Sequence, residues 1–429
     1  MKKFFTLILA IACVGIASAE IISFVQIDDL FYNIDTETQT AEVTYDNRVS
    51  YEPNHNRHIT TADIPASITY DEVPYAVTRI GAYAFKTCAD LTSVTIPESV
   101  ISIEDQAFLF CSKLTSVVFS EGLQSIKFQA FDYCDLSSIQ LPNTLTDLGF
   151  MAFGENKRLT SIDIPSSVSA MPCSFLYCYN LNSYNVDESN PKFCDVDGVL
   201  YNKEMTRLYH YPSAKEGTEY VVPSSVDTIW QYAFYQCSNL TSITLKDGIT
   251  RIMSSAFGFC TNLVSMTLPE GITLIGEYLF SGCSSLTSVS LPSTITKIDE
   301  GAFSGCSSLA SITIPRKVTN IGGRAFDGCK QLSSVTCLAS VPSTTEETVF
   351  YEVECSQIPL YVPMQSVDLY AAADQWKEFH PIIGIEVPGD EEGIEQTSAT
   401  TSTTKLLRDG QIYILHSGHV YTLTGTEVK

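Results

Sequence analysis

Between residues 64 and 363 the apolar positions hold neither a helical nor an alternating period for long. In LTSVSLPSTITKIDEGAFSGCSS, residues 286 to 308, they fall at Leu286, Val289, Leu291, Ile295, Ile298, Ala302, Phe303 and Cys306. A unit spaced this way is not one helix or one strand, so it must bend back on itself. LTSVSL ahead of Pro292 reads as a short strand with its Leu, Val and Leu turned inward. Ile295 to Ile298 reads as a second extended side, and GAFSGC as a tight helical turn. One such coil buries nothing alone, but stacked copies share a continuous core.

The register repeats almost without slip. The turn phenylalanine recurs at Phe85, Phe108, Phe131, Phe153, Phe175, Phe234, Phe257, Phe280, Phe303 and Phe326, at spacings of 22 or 23 except for one gap of 59. Three residues after each stands Cys88, Cys111, Cys134, Cys178, Cys237, Cys260, Cys283, Cys306 or Cys329, with Asn156 as the substitute. Successive coils should lie about 4.8 Å apart, so a small, weakly polar side chain suits this column. Parallel Cβ vectors at that separation are wider than the roughly 3.8 Å a disulfide needs, which predicts free buried thiols. Outside the column and the leader stand Cys173, Cys194, Cys337 and Cys355, of which Cys337 with Cys355 is the one pair to check for a bridge.

At these residues the chain resembles the BspA-type leucine-rich-repeat family, surface proteins of anaerobic gut and oral bacteria whose coil reads much like LTSVTIPxSVTxIGxxAFxGCxx. The resemblance covers most of residues 64 to 363. It implies a right-handed, β-rich leucine-rich-repeat solenoid with a short strand and a tight helical turn per coil, and a role in surface binding or adhesion. It names no ligand, because fold and function separate easily.

The ends read differently. Residues 1–19 carry two lysines, an apolar run and Ala17-Ser18-Ala19 ahead of Glu20, the pattern of a secretory signal peptide. Residues 20–63 hold the strand-like runs LFYNI and AEVTY around a polar DTETQ and are expected to form an N-terminal β cap. His55 and His58 lie there at metal-compatible spacing, but no third ligand is near in sequence. The 59-residue gap places a variant insert at 186–221, where VLYN and TRLYHY are strand-like and NKEM supplies a turn. Such DGVLYNK segments are common in the family it resembles. Asp195-Val196-Asp197-Gly198 lacks the distant ligands of a calcium loop. Residues 364–386 are expected to form a C-terminal cap with a helix, Ser366 as its N-cap and Val367, Tyr370 and Ala371 on one face. Residues 387–404 have the composition of a linker. Residues 405–429 alternate around three glycines as small hairpins and resemble the C-terminal end of a sorting signal for type IX secretion.

The chain has 429 residues and a formal charge of −24, two units more negative once Lys2 and Lys3 leave with the leader. That argues against nucleic acid and anionic membranes as partners. No stretch after the leader reaches the apolar length of a membrane span. Nucleophile elbows, zinc-binding helices, phosphate loops and recurring carboxylate pairs are all missing from the sequence, so the expectation is a binding protein without catalytic residues, metal or cofactor.

The expected partner is a host or bacterial surface protein, or a glycan; a structural spacer is the third reading. In LxxVxL the positions between the inward residues must face solvent, giving hydroxyl columns such as Thr92, Ser93 and Thr95, or Thr287, Ser288 and Ser290. β-Propensity and solubility favour the same residues. The position two after each Phe says more. It holds Phe110, Tyr133, Tyr177 and Phe259 where later coils use Gly282, Gly305 and Gly328. Large rings at a dispensable position are the candidate binding residues. The competing account is that the rings fold over the coil edge and cover core.

Overall fold

A computed structural model describes residues 21–45 and 59–387, together with the backbone of four strands between 404 and 428. The fold is a β-solenoid of about 13 turns of roughly 23 residues. Its coils fall into two compact units, one comprising residues up to 135 with 144–152, the other 136–143 with 153 onward.

Each regular coil contributes one strand to each of two parallel walls. In the first unit the LxxVxL segments pair in register as Thr61–Asp63, Ser93–Ile96 and Ser116–Phe119. The IxxI segments pair as Val73–Ile80, Ser102–Ile103, Ser125–Ile126 and Asp147–Leu148. Ahead of that second wall, Ile21–Ile27, Leu30–Asp35 and Thr40–Thr44 form an antiparallel meander whose last strand runs parallel to Val73–Ile80. The second unit repeats the arrangement, for instance Ser265–Thr267 beside Ser288–Ser290 and Leu274–Ile275 beside Lys297–Ile298. Period-two alternation puts Val94, Ile162, Val289 and Ile312 inside and leaves the intervening hydroxyls on the outer face.

The phenylalanines build the core. Phe85, Phe108 and Phe131 stack with centroids 4.9 and 4.8 Å apart and planes within 6°. In the second unit Phe257 lies 5.5 Å from Phe234 and 5.3 Å from Phe280, all fully buried. Two members of this column do not show in the phenylalanine count. Tyr211 stacks on Phe234 at 5.5 Å, and Phe350 stacks on Phe326 at 5.4 Å. Tyr211 stands 23 residues before Phe234 and 36 after Phe175, so the presumed insert contains a coil of its own with a tyrosine in the phenylalanine place. Within it Phe193–Val196, Val199–Asn202 and Arg207–His210 form an antiparallel set that joins Thr228–Ile229 in parallel. After Phe350, Trp376 and Phe379 meet its ring at 68° and 83°, edge-on, and no further ring can stack there.

The turn is not helical. The residues two before and two after each phenylalanine have positive φ, as at Gln106 (56°) and Phe110 (63°) or Ser255 (56°) and Phe259 (56°). Two left-handed residues in six reverse the chain more sharply than a helical turn would. The thiol column also does more than fit. Cys111 Sγ donates to the Phe85 carbonyl at 3.0 Å, Cys260 to Phe234 at 2.9 Å and Cys306 to Phe280 at 3.1 Å. The same Phe85 carbonyl accepts the Cys88 backbone N–H, so the thiol of the next coil fills its second lone pair. Asn156 acts differently, donating to the Phe153 and Gly154 carbonyls of its own turn and accepting from Leu136 N–H in the preceding coil.

All thirteen cysteines among the described residues are free, Cys337 and Cys355 included. The helix Val367–Ala372 forms, but Ser366 does not cap it, because its hydroxyl donates to the Ser340 carbonyl at 2.7 Å. Tyr370 is buried and Ala371 exposed, so the buried face is narrower than the sequence suggested. Thr404–Arg408, Gln411–His416, His419–Thr422 and Glu427–Val428 form an antiparallel meander. The leader, His55, His58 and most of 387–404 lie outside the described residues.

Candidate functional site

The first of the three outward hydroxyl columns is engaged in the fold. Thr115 Oγ1 donates to the Thr92 carbonyl (3.3 Å), Thr241 to Thr218 (3.1 Å) and Thr287 to Val264 (3.0 Å), each one coil back. Ser333 does the same to Ala310 at 2.9 Å. These hydroxyls staple successive coils and have given up their donor.

The four aromatic candidates fall in two places. In the first unit Phe110 and Tyr133 belong to consecutive coils, with centroids 4.7 Å apart and planes at 36°. Both rings remain substantially in solvent, Phe110 44% and Tyr133 40% exposed. On the same turns a polar ladder crosses the coils: Lys86 Nζ donates to Gln106, Gln106 to Gln129, and Gln129 to the buried Asp132. The second unit holds Tyr177 and Phe259. Tyr235 joins them, 5.3 Å from Tyr177 and 5.4 Å from Phe259. Tyr232 and Tyr179 extend the group at 5.5 and 6.2 Å. Phe259 is 42% exposed, while the tyrosines are partly buried. Tyr235 stands one residue after its phenylalanine, outside the column that sequence periodicity singled out. Its signal was Gly258 at the same place in the next coil, where a Cβ would come within 3.0 Å of the Tyr235 ring.

That relation explains Gly258, Gly282 and Gly301, whereas a Cβ on Gly305 or Gly328 would meet only glycine backbone, at 3.5 and 3.7 Å. A Cβ on Gly282 would lie 2.6 Å from the Phe259 ring, and one on Gly301 would run into the Tyr278 ring. The rings lean along the coil edge onto the glycine of the following coil. At φ of +74° glycine is also the residue that position accepts without strain. Phe110 (63°), Tyr133 (57°), Tyr177 (66°) and Phe259 (56°) adopt the same left-handed backbone with large side chains. Each carries a conformational cost of order 1 kcal/mol that glycine avoids.

Elsewhere the first unit has a groove of about 670 Å³ on its IxxI wall, lined by Asp35, Glu42, Arg79, Glu104 and Lys127 among others. Among the described residues no group of three or more His, Cys, Asp or Glu is placed to hold a metal ion. No helix of the described residues is long and apolar enough to cross a membrane. Burial pushes the column thiols up, Cys283 and Cys329 to about 12, which leaves them protonated near neutral pH.

A ladder of two parallel walls with stacked rings and an in-register polar column defines a leucine-rich-repeat solenoid. The family model for BspA type leucine rich repeat regions matches residues 78–196 and 227–358, more than half the chain, in 6 copies. The chain belongs to that family. Among solved structures it is similar to the pneumococcal vaccine antigen PcpA, at 24% identity and a TM-score of 0.64, over 81% of this chain and 95% of that one. It is also similar to a leucine-rich repeat protein from Eubacterium ventriosum, at 25% identity and a TM-score of 0.52, over 72% of this chain and 94% of the other. No curated protein sequence matches.

Proposed function

We propose that this is an exported, cell-surface, non-enzymatic binding protein that recognises a protein partner through aromatic side chains on the turn edge of its coils. The observation that carries the reading is the set Phe110, Tyr133, Tyr177 and Phe259, exposed or partly so at left-handed positions that other coils fill with glycine. The fold gains least from large rings there, and exposed aromatics with polar neighbours mark protein interfaces. Family membership and the likeness to a vaccine antigen support a surface role.

A protein partner is favoured over a glycan by the ring geometry. Tyr177, Tyr179, Tyr232, Tyr235 and Phe259 meet at 56 to 77°, so they form an uneven cluster and not a flat platform for sugar rings. The threonines of the first outward column have also given their donors to the preceding coil.

The test is a combined Phe110→Ser, Tyr133→Ser, Tyr177→Ser variant of the mature chain. It is compared with the parent on host-matrix and bacterial surface proteins, on a glycan array, and in thermal unfolding. Protein binding that is lost with an unchanged midpoint supports the reading. Binding confined to the glycan array would replace the partner class. A large fall in midpoint would return the rings to the core. Surface labelling of cells with and without residues 405–429 tests the localisation.

A further inference from the structure

The groove of about 670 Å³ in the first unit has no aromatic residue in its lining. It crosses one sheet from Leu30–Asp35 through Thr40–Thr44, Val73–Ile80 and Ser102–Ile103 to Ser125–Ile126. Five strands about 4.8 Å apart give it a length of roughly 19 Å.

Its charges are interleaved. Glu42 stands opposite Arg79 in register, and Arg79 opposite Ser102. Among the described residues no hydrogen bond or ion pair engages the Arg79 guanidinium. Glu42 accepts from Asn33 Nδ2 at 3.2 Å and Glu104 from Ser102 Oγ at 2.5 Å, while Lys127 Nζ donates to Asp147 at 3.0 Å. One oxygen of Glu42 and one of Glu104 keep no hydrogen bond among the described residues, and neither do the hydroxyls of Thr78 and Ser125. Ile21 and Ile101 add apolar surface, 67% and 45% exposed. Other coils place Thr146, Thr250, Thr296 or Thr319 where this one has Ile101, and each donates to a carbonyl one coil back. Ile101 gives up that staple and exposes an aliphatic side chain in its place.

We propose that this groove is a second binding site, which takes a neutral oligosaccharide.

Sugar hydroxyls both donate and accept, and the groove asks for both: open carboxylate oxygens take donors, and the guanidinium supplies them. Asp35, Glu42 and Glu104 alternate with Arg79 and Lys127, so a ligand charged with either sign meets repulsion along part of the groove. Among the described residues these carboxylates are not grouped to hold a metal ion. The groove runs over a sheet face, where an extended peptide finds no open strand edge to pair with. Ile21 and Ile101 offer aliphatic surface to the C–H faces of sugar rings. The site stands apart from the aromatic edge, and the proposal does not rest on the reading built there.

The mature chain is applied to an array of neutral and acidic oligosaccharides, and a bound neutral glycan is then titrated by calorimetry. Arg79→Gln should weaken that glycan at least about tenfold, as the loss of a charged donor predicts. Ile101→Thr should weaken it about threefold with an unchanged unfolding midpoint, and it decides the matter if Arg79→Gln fails to fold. The affinity should change less than about twofold between about 0.05 and 0.5 M salt, because the ligand carries no charge. The combined Phe110→Ser, Tyr133→Ser, Tyr177→Ser variant should bind the glycan as the parent does, so the groove and the aromatic edge fail or stand separately. An array without a neutral glycan bound, binding confined to acidic glycans, or full affinity in the folded groove variants would overturn the proposal. Protein binding lost in Arg79→Gln with no glycan bound would give the groove to a protein and equally overturn it.

Discussion

Phe257 and Phe259 stand two residues apart in one coil and should differ sharply in what they contribute to stability. Phe257 is fully buried between Phe234 and Phe280. Phe257→Ala leaves a ring-sized void in a column that has no slack along its axis, and should cost about 3 to 5 kcal/mol. Within that, the two ring contacts account for about 0.5 to 1.5 kcal/mol each. Phe259 is 42% exposed at φ 56°. Phe259→Gly loses the contacts with Tyr235 and the Gly282 backbone, yet removes about 1 kcal/mol of left-handed strain. Against that, glycine frees the unfolded chain by about 0.5 to 1 kcal/mol. The net should lie within about 1 kcal/mol of zero. Urea unfolding followed by circular dichroism, with hydrogen exchange to locate the coil that opens, measures both; exchange is needed because repeat arrays can open in parts. If Phe259→Gly costs as much as Phe257→Ala, the outer ring is core and the assignment of the binding edge collapses.

The glycine relation predicts coupling: Gly282→Ala should destabilise more in the parent than in a Phe259→Ser background, by about 1 kcal/mol in a double-mutant cycle, since the Cβ meets that ring at 2.6 Å. Thiol labelling of the native chain should start at the partly buried Cys173 and Cys194 and spare the column, whereas denaturation without reductant should expose every thiol; a maleimide count short by two or more would reveal a bridge. Alkali should unfold the chain steeply. Burial raises the column thiols from 9.0, to about 12 at Cys283 and Cys329, so their contribution is complete below pH 9 and is lost as pH rises toward 12, at up to about 1.4 kcal/mol per pH unit per thiol. A Cys283→Ala, Cys329→Ala variant should show a shallower alkaline limb.

Much of this architecture is legible because the solenoid imposes the same condition on every coil. A phenylalanine at fixed spacing must stack on its neighbour, and a small polar residue three later must sit in the adjoining column. The misses have physical causes. Tyr211 and Phe350 keep the stack but break the letter or the spacing, one by a hydroxyl and the other by a 24-residue step. The small residues of GAFSGC read as a helical turn, whereas the glycines mark left-handed φ. Ser366 has a cap residue's identity but finds a carbonyl across the chain, a tertiary contact that local sequence does not carry. Of the aromatic set, periodicity picked out the positions; it could not show that Phe110 pairs with Tyr133, or that Tyr235 is what connects Tyr177 to Phe259.

Two left-handed residues per turn also separate what the fold demands from what it tolerates. Inside, the phenylalanine ring and the thiol that donates to the preceding coil's carbonyl leave little freedom, since a void or an unmade bond is felt by both neighbours. At the edge, the backbone accepts glycine best and tolerates Thr87, Glu155, Gln236 or an aromatic at the same φ. Side chains there change the surface at a cost of about 1 kcal/mol each and without altering the stack. A repeat protein that must present a particular face can therefore vary this edge coil by coil. On the binding reading proposed above, the rings at Phe110, Tyr133, Tyr177 and Phe259, set against the bare backbone at Gly305 and Gly328, are such a variation, and a partner is to be sought on the aromatic coils.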